Sequence, residues 1–411
     1  MDCTKPGTGA RHVELSKPAI EGGSPVRATT LPYARQWLGE EEIAAVTETL
    51  RSDWITTGPR VVAFESAVTD YCGARHTVAV TSCTAALHLA LNALGVGPGH
   101  EVITTSLTFS ATPLAAVYNG ATPVFADIDP VTLNINPDCI EEHITPRTRA
   151  IAPVHYAGCP CDMDPILALA RKHGLAVVED AAHAIGAVYR GRPIGTLSDI
   201  TCFSFHAVKN MTTAEGGAAV TDREDLARTM RTRRFFGVAR DAWSRASSDK
   251  PWEYDVSELG FKYNITDIQA ALGLVQIKKL DAFLERRKQI AAAYDAAFSG
   301  MEQLTLCRVP HETDSAHHLY VVRIRPGFFR VDRDGLLAAL RSENIAANVH
   351  YKPVHLHSYF MNTYQTKPGS LPECEQAGNT LITLPLFPAM SHSDVQDVIQ
   401  AVQKLCSWYA A

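Results

Sequence analysis

The chain has no excess of positive charge and no long apolar run. Its 38 lysines and arginines are outnumbered by 44 aspartates and glutamates, which gives a formal net charge of -6 at pH 7. Such a balance argues against nucleic acid and anionic membranes as partners. No apolar run approaches the roughly 18 residues of a membrane-spanning helix. The opening MDCTKPGTGARH is polar and lacks a signal-peptide core, so we expect a cytoplasmic protein.

Motifs for metal sites and for nicotinamide binding are also missing. The ten cysteines are scattered, and the close pair Cys159 and Cys161 has no second pair or histidine cluster at metal spacing. The C-terminal histidines fit no single helix face, so we predict no metal site. No G-x-G-x-x-G follows the first predicted strand, which argues against a Rossmann dehydrogenase. The C-terminal histidines considered for a metal site are His317, His318, His350, His355 and His357.

Short apolar strands alternate with helices over the first two thirds of the chain. This pattern predicts an α/β fold with a mostly parallel central sheet. The 411 residues have room for a large domain and a smaller α+β domain. We predict an N-terminal arm (1–30), a large domain (31–280) and a small C-terminal domain (281–411). The strands predicted for the large domain are 76–81, 101–105, 123–127, 150–155, 175–179 and 200–205. Those predicted for the small domain are 318–325 and 346–350.

The stretch TCFSFHAVKNMTTAEGGAAVT, residues 201–221, places Lys209 between two apolar runs. Schiff-base chemistry needs a poorly solvated lysine that loses its proton readily. Pyridoxal 5′-phosphate (PLP) is the cofactor that forms such a bond, and it also needs an acid facing its ring nitrogen. Asp180, which follows the strand LAVVE, can supply that acid. Taken singly, Lys209 could equally be a solvated lysine in a hairpin, and Asp180 a helix cap.

Polar side chains at the predicted strand ends point to one shared site. Ser82, Cys83 and Thr84 follow a strand and open an apolar helix, an arrangement that binds phosphate through free amides and the helix dipole. A plain helix cap explains the same residues. In parallel sheets ligands gather at the carboxyl ends of strands. The other polar or aromatic residues at or just after strand ends are Phe109, His155, Asp180, Ser204 and Lys209.

Several longer motifs resemble the nucleotide-sugar aminotransferases of the DegT/DnrJ type, which are fold-type I PLP enzymes. The resemblance covers about residues 30–410. Within the group, the chain is similar to 4-aminotransferases that act on UDP-4-keto-6-deoxy-N-acetylhexosamines, such as UDP-4-amino-4,6-dideoxy-N-acetyl-β-L-altrosamine transaminases. The motifs are LPYARQWLGEEEIAAV, SDWITTGPRV, AVTSCTAALHLAL, TSLTFSAT, FADIDPVTLNI, PVHYAGCPCDMD, VVEDAAHAIGA, CFSFHAVKNMTTAEGGAAVT, GFKYNITDIQAALGLVQIKKLD, NVHYKPVHLHSY and LPLFP.

This resemblance implies a role for each matching residue. Lys209 would form the Schiff base and Asp180 would pair with the ring nitrogen. His183 would lie near the ring's 3-oxygen, and Phe109 would stack on the ring. The phosphate would be held by Thr84, Ser204 and the backbone at Cys83, and by Lys262 or Asn264 from a second subunit. Substrate contacts are predicted for His155, His318, His350, Tyr351 and His355.

The resemblance further implies a homodimer with shared active sites, glutamate as amino donor and a keto-sugar as acceptor. Cys83 stands where the family usually has glycine, and Lys262-Tyr263-Asn264 stands where many members read N-Y-R. The early segment AIEGGSPVR resembles members that aminate cyclitols or unusual sugars in secondary metabolism. A keto-cyclitol aminotransferase is therefore an alternative. A PLP-dependent sugar dehydratase is less favoured because Lys209 is retained, and a non-catalytic regulator because no DNA-binding module is recognised.

Overall fold

The computed structural model describes residues 16–238, 243, 250 and 252–411. Its strands, in chain order, are β1 (His76–Val80), β2 (Glu101–Thr105), β3 (Thr122–Ala126), β4 (Thr148–Ala152), β5 (Ala176–Asp180), β6 (Val188–Tyr189), β7 (Arg192–Pro193), β8 (Ile200–Ser204), β9 (Gly217–Thr221), β10 (Leu304–Leu306), β11 (Thr313–Asp314), β12 (Tyr320–Ile324) and β13 (Leu381–Leu384). Its α-helices are α1 (Glu40–Leu50), α2 (Pro59–Cys72), α3 (Cys83–Ala93), α4 (Ala111–Tyr118), α5 (Pro137–Glu141), α6 (Met163–His173), α7 (Glu224–Arg233), α8 (Asp267–Phe298), α9 (Arg333–Ser342), α10 (Ser358–Tyr364), α11 (Pro372–Thr380) and α12 (His392–Trp408).

A seven-stranded sheet in the order β1-β9-β8-β5-β4-β2-β3 forms the larger core. The strands from β8 to β3 run parallel, and β9 runs antiparallel to both of its neighbours. Helices cover both faces, so even the threonines of β2 are buried. The predicted mostly parallel sheet is confirmed. Because the parallel strands share one direction, their carboxyl ends lie along the same edge.

A three-stranded antiparallel sheet, β10-β12-β13, forms the smaller core with α9 and α12. The strand predicted at 346–350 is wrong, since only Asn348 pairs there, through a single bridge to Thr383. The position beside β12 is filled by β13, which follows directly on α11. All four β13 side chains are buried, so tertiary packing outweighs the helical pattern before it.

The long helix α8 belongs to both cores. Ile277 and Leu280, in its first half, pack in the larger core, and Ile290 and Tyr294, in its second half, pack in the smaller one. Thr266 caps its start by accepting a hydrogen bond from the backbone of Gln269. The division into a large and a small domain, with boundaries at residues 30 and 280, stays a prediction.

The described part of the predicted N-terminal arm lies against the small core. The buried carboxylate of Glu343 accepts hydrogen bonds from the backbone of Ala19 (2.9 Å) and Val26 (2.8 Å). Arg27 forms ion pairs with Asp394 and Asp397 on α12. Residues 16–30 are thus tied down, and the rest of the predicted arm, 1–15, lies outside the described residues. Within the described chain, we find no helix with the length and apolarity of a membrane span.

Candidate active site

The carboxyl edge of the large sheet opens into a cavity of about 380 Å³. This volume lies in the range of small-molecule and cofactor sites. The cavity brings together most of the site residues predicted from the sequence. Those that line it are Cys83, Thr84, Phe109, Asp180, His183, Ser204, Lys209, His318, His350 and Tyr351.

One end of the cavity is the start of α3. Ser82 caps this helix by accepting a hydrogen bond from the backbone nitrogen of Ala85 (3.1 Å). The cap leaves the first amides, at Cys83 and Thr84, facing the cavity end of the helix, where the dipole favours an anion. Gly217 of β9 passes so close that an added Cβ atom would lie 2.4 Å from the Cys83 nitrogen. Glycine is therefore needed at this crossing.

Lys209 lies in the loop between β8 and β9 and is half-buried at the cavity wall. Burial lowers the pKa of its amine to about 8, an effect that Arg287 strengthens and Asp180 opposes. A lysine amine with this pKa is partly neutral near physiological pH. It can act as a nucleophile toward an aldehyde and as a proton acceptor.

Asp180 is the last residue of β5, and its buried carboxylate is held on both oxygens. The backbone nitrogen of Ala182 donates to Oδ1 (3.0 Å), and the hydroxyl of Thr112 donates to Oδ2 (2.6 Å). Thr112 lies in the first turn of α4, close to Phe109. Phe109 itself is 61% exposed at the mouth of the cavity, with its ring 6.1 Å from that of Tyr351.

Three histidines line the cavity beside Lys209. His183 bonds through Nε2 to the hydroxyl of Tyr351 (3.2 Å), while its buried Nδ1 has no partner among the described residues. The His318 ring lies 4.4 Å from that of His183, and its Nδ1 contacts Asn210 (2.9 Å). Burial, with positive charge from Lys209, lowers the pKa of both rings well below the usual value and that of His350 to about 4. All three imidazoles are therefore neutral at physiological pH.

His155 and His355, two of the predicted substrate contacts, are fully buried and do not line the cavity. The Cys161 amide donates to Nδ1 of His155, so Nε2 carries the proton that bonds to Glu179 (2.7 Å). His355 bridges Ser106 (2.7 Å), at the end of β2, and Glu375 (3.1 Å), on α11. Both side chains have their partners inside the protein and serve the fold.

Lys262 and Asn264 do not line this chain's cavity. The ammonium of Lys262 donates to the Asn264 side chain (2.6 Å) and lies 4.6 Å from the centre of the Phe235 ring. Asn264 pairs through its backbone with Val80, two residues before the turn that opens α3. Their predicted contact with a second subunit stays a prediction. Of the 237–258 loop, positions 239–242, 244–249 and 251 lie outside the described residues.

Sequence reasoning missed several residues at or beside the cavity, among them Tyr33, Thr112 and Arg287. Tyr33 lines it from the segment before α1, with its ring 5.4 Å from that of His350. Thr112 supports Asp180 from one turn inside a helix, where no strand-end pattern points to it. The guanidinium of Arg287 is buried and bonds to the backbone carbonyls of His317, His318 and Leu386, although its Nε has no partner in the described chain. The only signal in the sequence was the LPYARQ motif that contains Tyr33.

Comparisons with known proteins agree with this geometry. The DegT/DnrJ/EryC1/StrS aminotransferase family profile matches residues 36–403. Spore coat polysaccharide biosynthesis protein SpsC of Bacillus subtilis is 48% identical over 91% of this chain and 97% of its own length. A structure described as a sugar aminotransferase, Spr1654 of Streptococcus pneumoniae in its PMP-form, has a TM-score of 0.87, 35% identity and coverage of 92% of this chain and 99% of that one. A further structure of Spr1654 is in the PLP-form.

A second solved relative is PseC of Helicobacter pylori, described as an aminotransferase involved in the biosynthesis of pseudoaminic acid. It has a TM-score of 0.86 and 32% identity, and the match covers 93% of this chain and all of PseC. The family profile and the coverage of these relatives extend over nearly the whole described chain. The chain belongs to the DegT/DnrJ/EryC1/StrS aminotransferase family and is a PLP-dependent aminotransferase with the fold-type I architecture.

Proposed function

We propose that this enzyme transfers an amino group from glutamate to a keto-sugar, at C4 of a nucleotide-linked 4-keto-6-deoxy sugar. The observation that carries the proposal is the meeting of Lys209, Asp180 and the start of α3 in one cavity. The relatives support a sugar as acceptor, because SpsC is described by polysaccharide biosynthesis and PseC by pseudoaminic acid biosynthesis. A UDP-linked N-acetylhexosamine, as acted on by altrosamine transaminases, is the specific acceptor we propose.

The residues of the cavity fit PLP. The start of α3, with Thr84 and Ser204, offers amides and hydroxyls for a phosphate. Asp180 keeps a buried carboxylate for the ring nitrogen, and the unpartnered Nδ1 of His183 offers a polar atom for the ring's 3-oxygen. When bound, PLP supplies an aldehyde that reacts with amines and a protonated ring that withdraws electrons. Phe109 provides an aromatic face at the mouth of the same cavity.

Each step of the proton chemistry falls to Lys209 and Asp180. With a donor amino acid bound, the free Nζ of Lys209 would take the proton from the donor's α-carbon and hold it until it is given back later in the reaction. Transfer by a positioned base contributes about 10²–10⁴-fold to a rate. A pKa near 8 keeps a useful fraction of Nζ neutral. The Asp180 carboxylate would hold the ring nitrogen of bound PLP in its protonated form.

The direct test is Lys209→Ala. The wild-type protein with PLP should show the visible band of a lysine Schiff base and lose it when glutamate is added. The Lys209→Ala protein should lack both the band and turnover. Lys172→Ala, at an exposed lysine paired only with the surface residue Glu141, is the matched control and should behave as wild type. A Lys209→Ala protein that aminates a keto-sugar at the normal rate would refute the proposal.

Candidate acceptors separate the sugar from the cyclitol alternative. The AIEGGSPVR segment suggested a cyclitol, yet residues 19–27 lie on the small core and none of them lines the cavity. Within one chain this segment therefore has no direct contact with the cavity. With the enzyme first converted to its amino form by glutamate, a UDP-4-keto-6-deoxy-N-acetylhexosamine should restore the visible band. A keto-cyclitol that restores it faster would favour the alternative.

We also propose a homodimer in which Lys262 or Asn264 reaches the neighbouring cofactor phosphate. Two observations support this proposal. Neither residue lines the cavity of its own chain, and the backbone of Asn264 pairs with Val80 in β1, the strand that leads to Ser82. Sedimentation should give twice the chain mass of 44.7 kDa. Lys209→Ala and Asn264→Ala proteins, each inactive alone, should regain activity when unfolded and refolded together. If the mixture stays inactive, the sites are not shared through Asn264.

A further inference from the structure

The carboxylate of Asp180 depends on a neighbour outside the predicted strand-end cluster. Thr112 is 2% exposed, and its Oγ1 lies 2.6 Å from Oδ2 of Asp180. The same oxygen lies 2.9 Å from Oγ1 of Thr108, which is also buried. These two threonines and Asp180 form a continuous hydrogen-bonded row along the cavity wall.

The Asp180 carboxylate decides which hydroxyl donates and which accepts in this row. An ionised carboxylate only accepts hydrogen bonds, so the single hydroxyl proton of Thr112 is donated to Asp180. Thr112 then has no proton left for Thr108, and Thr108 donates to Thr112. Each hydroxyl has one role, and neither can rotate without leaving a buried acceptor unpaired.

We propose that Thr112 is a positioning residue for the reaction, which sets the rotation of the Asp180 carboxylate toward the cofactor ring nitrogen. The inference rests on the role proposed above for Asp180. With the Ala182 amide on Oδ1 and the Thr112 hydroxyl on Oδ2, the plane of the carboxylate is fixed from both sides. One lone pair on each oxygen remains for a third donor. A hydrogen bond to a charged group is stronger than a neutral one, so this contact also stabilises the negative charge.

The test is Thr112→Val, which keeps the branched shape and removes the hydroxyl. Thr112→Ser keeps the hydroxyl and should rescue the defect. Thr104→Val is the matched control, because Thr104 is equally buried on β2 and donates to the backbone carbonyl of Ala152 (2.7 Å) instead of to Asp180. PLP affinity is measured by titrating the apo protein. The pH midpoint of the visible band is measured on the PLP-bound proteins.

Thr112→Val should bind PLP about tenfold more weakly than Thr104→Val, the effect of losing one hydrogen bond to a charged group. Its visible band should titrate at a higher pH, because a ring nitrogen held less firmly in its protonated form places less positive charge near the Schiff base. Thr112→Ser should lie within about twofold of wild type. A structural loss alone would lower thermal stability without moving the pH midpoint.

The outcomes separate this inference from the proposed function. If the wild-type protein forms no visible band with PLP, the role of Asp180 falls and the inference falls with it. If wild type binds PLP while Thr112→Val matches Thr104→Val in affinity and pH midpoint, only the positioning role of Thr112 is overturned. Should Thr112→Val fail to fold, Thr112→Ala replaces it with the same expected shift, and an unmoved midpoint in that variant overturns the inference.

Discussion

Gly217→Ala tests whether the turn at Ser82 and Cys83 must lie directly against β9. A Cβ atom on residue 217 would lie 2.4 Å from the Cys83 nitrogen, 2.4 Å from the Ser82 carbonyl carbon and 2.6 Å from the Ser82 oxygen. Ordinary contacts begin near 3.4 Å, so the strand and the turn must separate by about 1 Å. The obstructing atoms are backbone, so no side-chain rotation relieves the clash.

The expected loss follows from this displacement. Forcing an extra atom into a packed site costs about 1–3 kcal/mol, and a backbone obstruction should lie at the upper end of that range. A shift of about 1 Å also takes the first amides of α3 out of hydrogen-bonding distance of a phosphate. We expect PLP affinity to fall by at least about tenfold, and the unfolding temperature by several degrees.

Thermal unfolding with and without PLP, together with titration of the apo protein, measures both effects. Gly300→Ala is the control, because a Cβ atom on this exposed residue after α8 meets nothing within 4 Å. It should match wild type in both measurements. A Gly217→Ala protein that binds PLP with wild-type affinity would show that the start of α3 does not hold the phosphate as described.

Three further results are expected. Apo protein should form the Schiff base faster as pH rises, with a midpoint at about 8 and a plateau above it, because the Lys209 amine becomes neutral through that pKa; stopped-flow rates whose midpoint lies toward pH 10 would contradict the lowered pKa. His155→Ala should cost about 1–3 kcal/mol in urea unfolding, since it removes the donor to the buried Oε2 of Glu179 while Ser198 and Thr201 stay on Oε1; an unchanged midpoint would show that Oε2 needs no donor from His155. Glu343→Ala should expose residues 16–30 to protease by removing the acceptor of Ala19 and Val26; wild-type resistance would show that the remaining contacts suffice.

The order of strands and helices could be read from the sequence because its signals are local. Apolar runs such as VITT in β2 and the Ser82 cap of α3 need no knowledge of distant residues. The gathering of Asp180, Ser204 and Lys209 could be predicted as well. Parallel strands end at one edge, so residues after different strands are brought together by topology alone.

The errors and omissions involve contacts between distant segments. His155 was expected at the site from its strand-end position and His183 from the family resemblance, yet only His183 lines the cavity, because His155 is buried against Glu179. Asp180 lies 68 positions from Thr112, and the carbonyls that bond to Arg287 lie 30 to 99 positions from it. Hydrophobic periodicity carries no information about such pairs. The strand expected at 346–350 does not form, and β13, more than 30 residues later in the chain, pairs with β12 instead.

The helix α8 packs in both cores and so connects them. Its 32 residues contribute side chains to both, and Arg287, near its middle, donates to the carbonyl of His318, just before β12, and to that of Leu386, just after β13. Because one helix packs in both cores, we expect a substitution that loosens one core to weaken the other as well. A destabilising substitution on the outer face of α12, far from the cavity, should therefore lower the temperature at which the enzyme loses its cofactor.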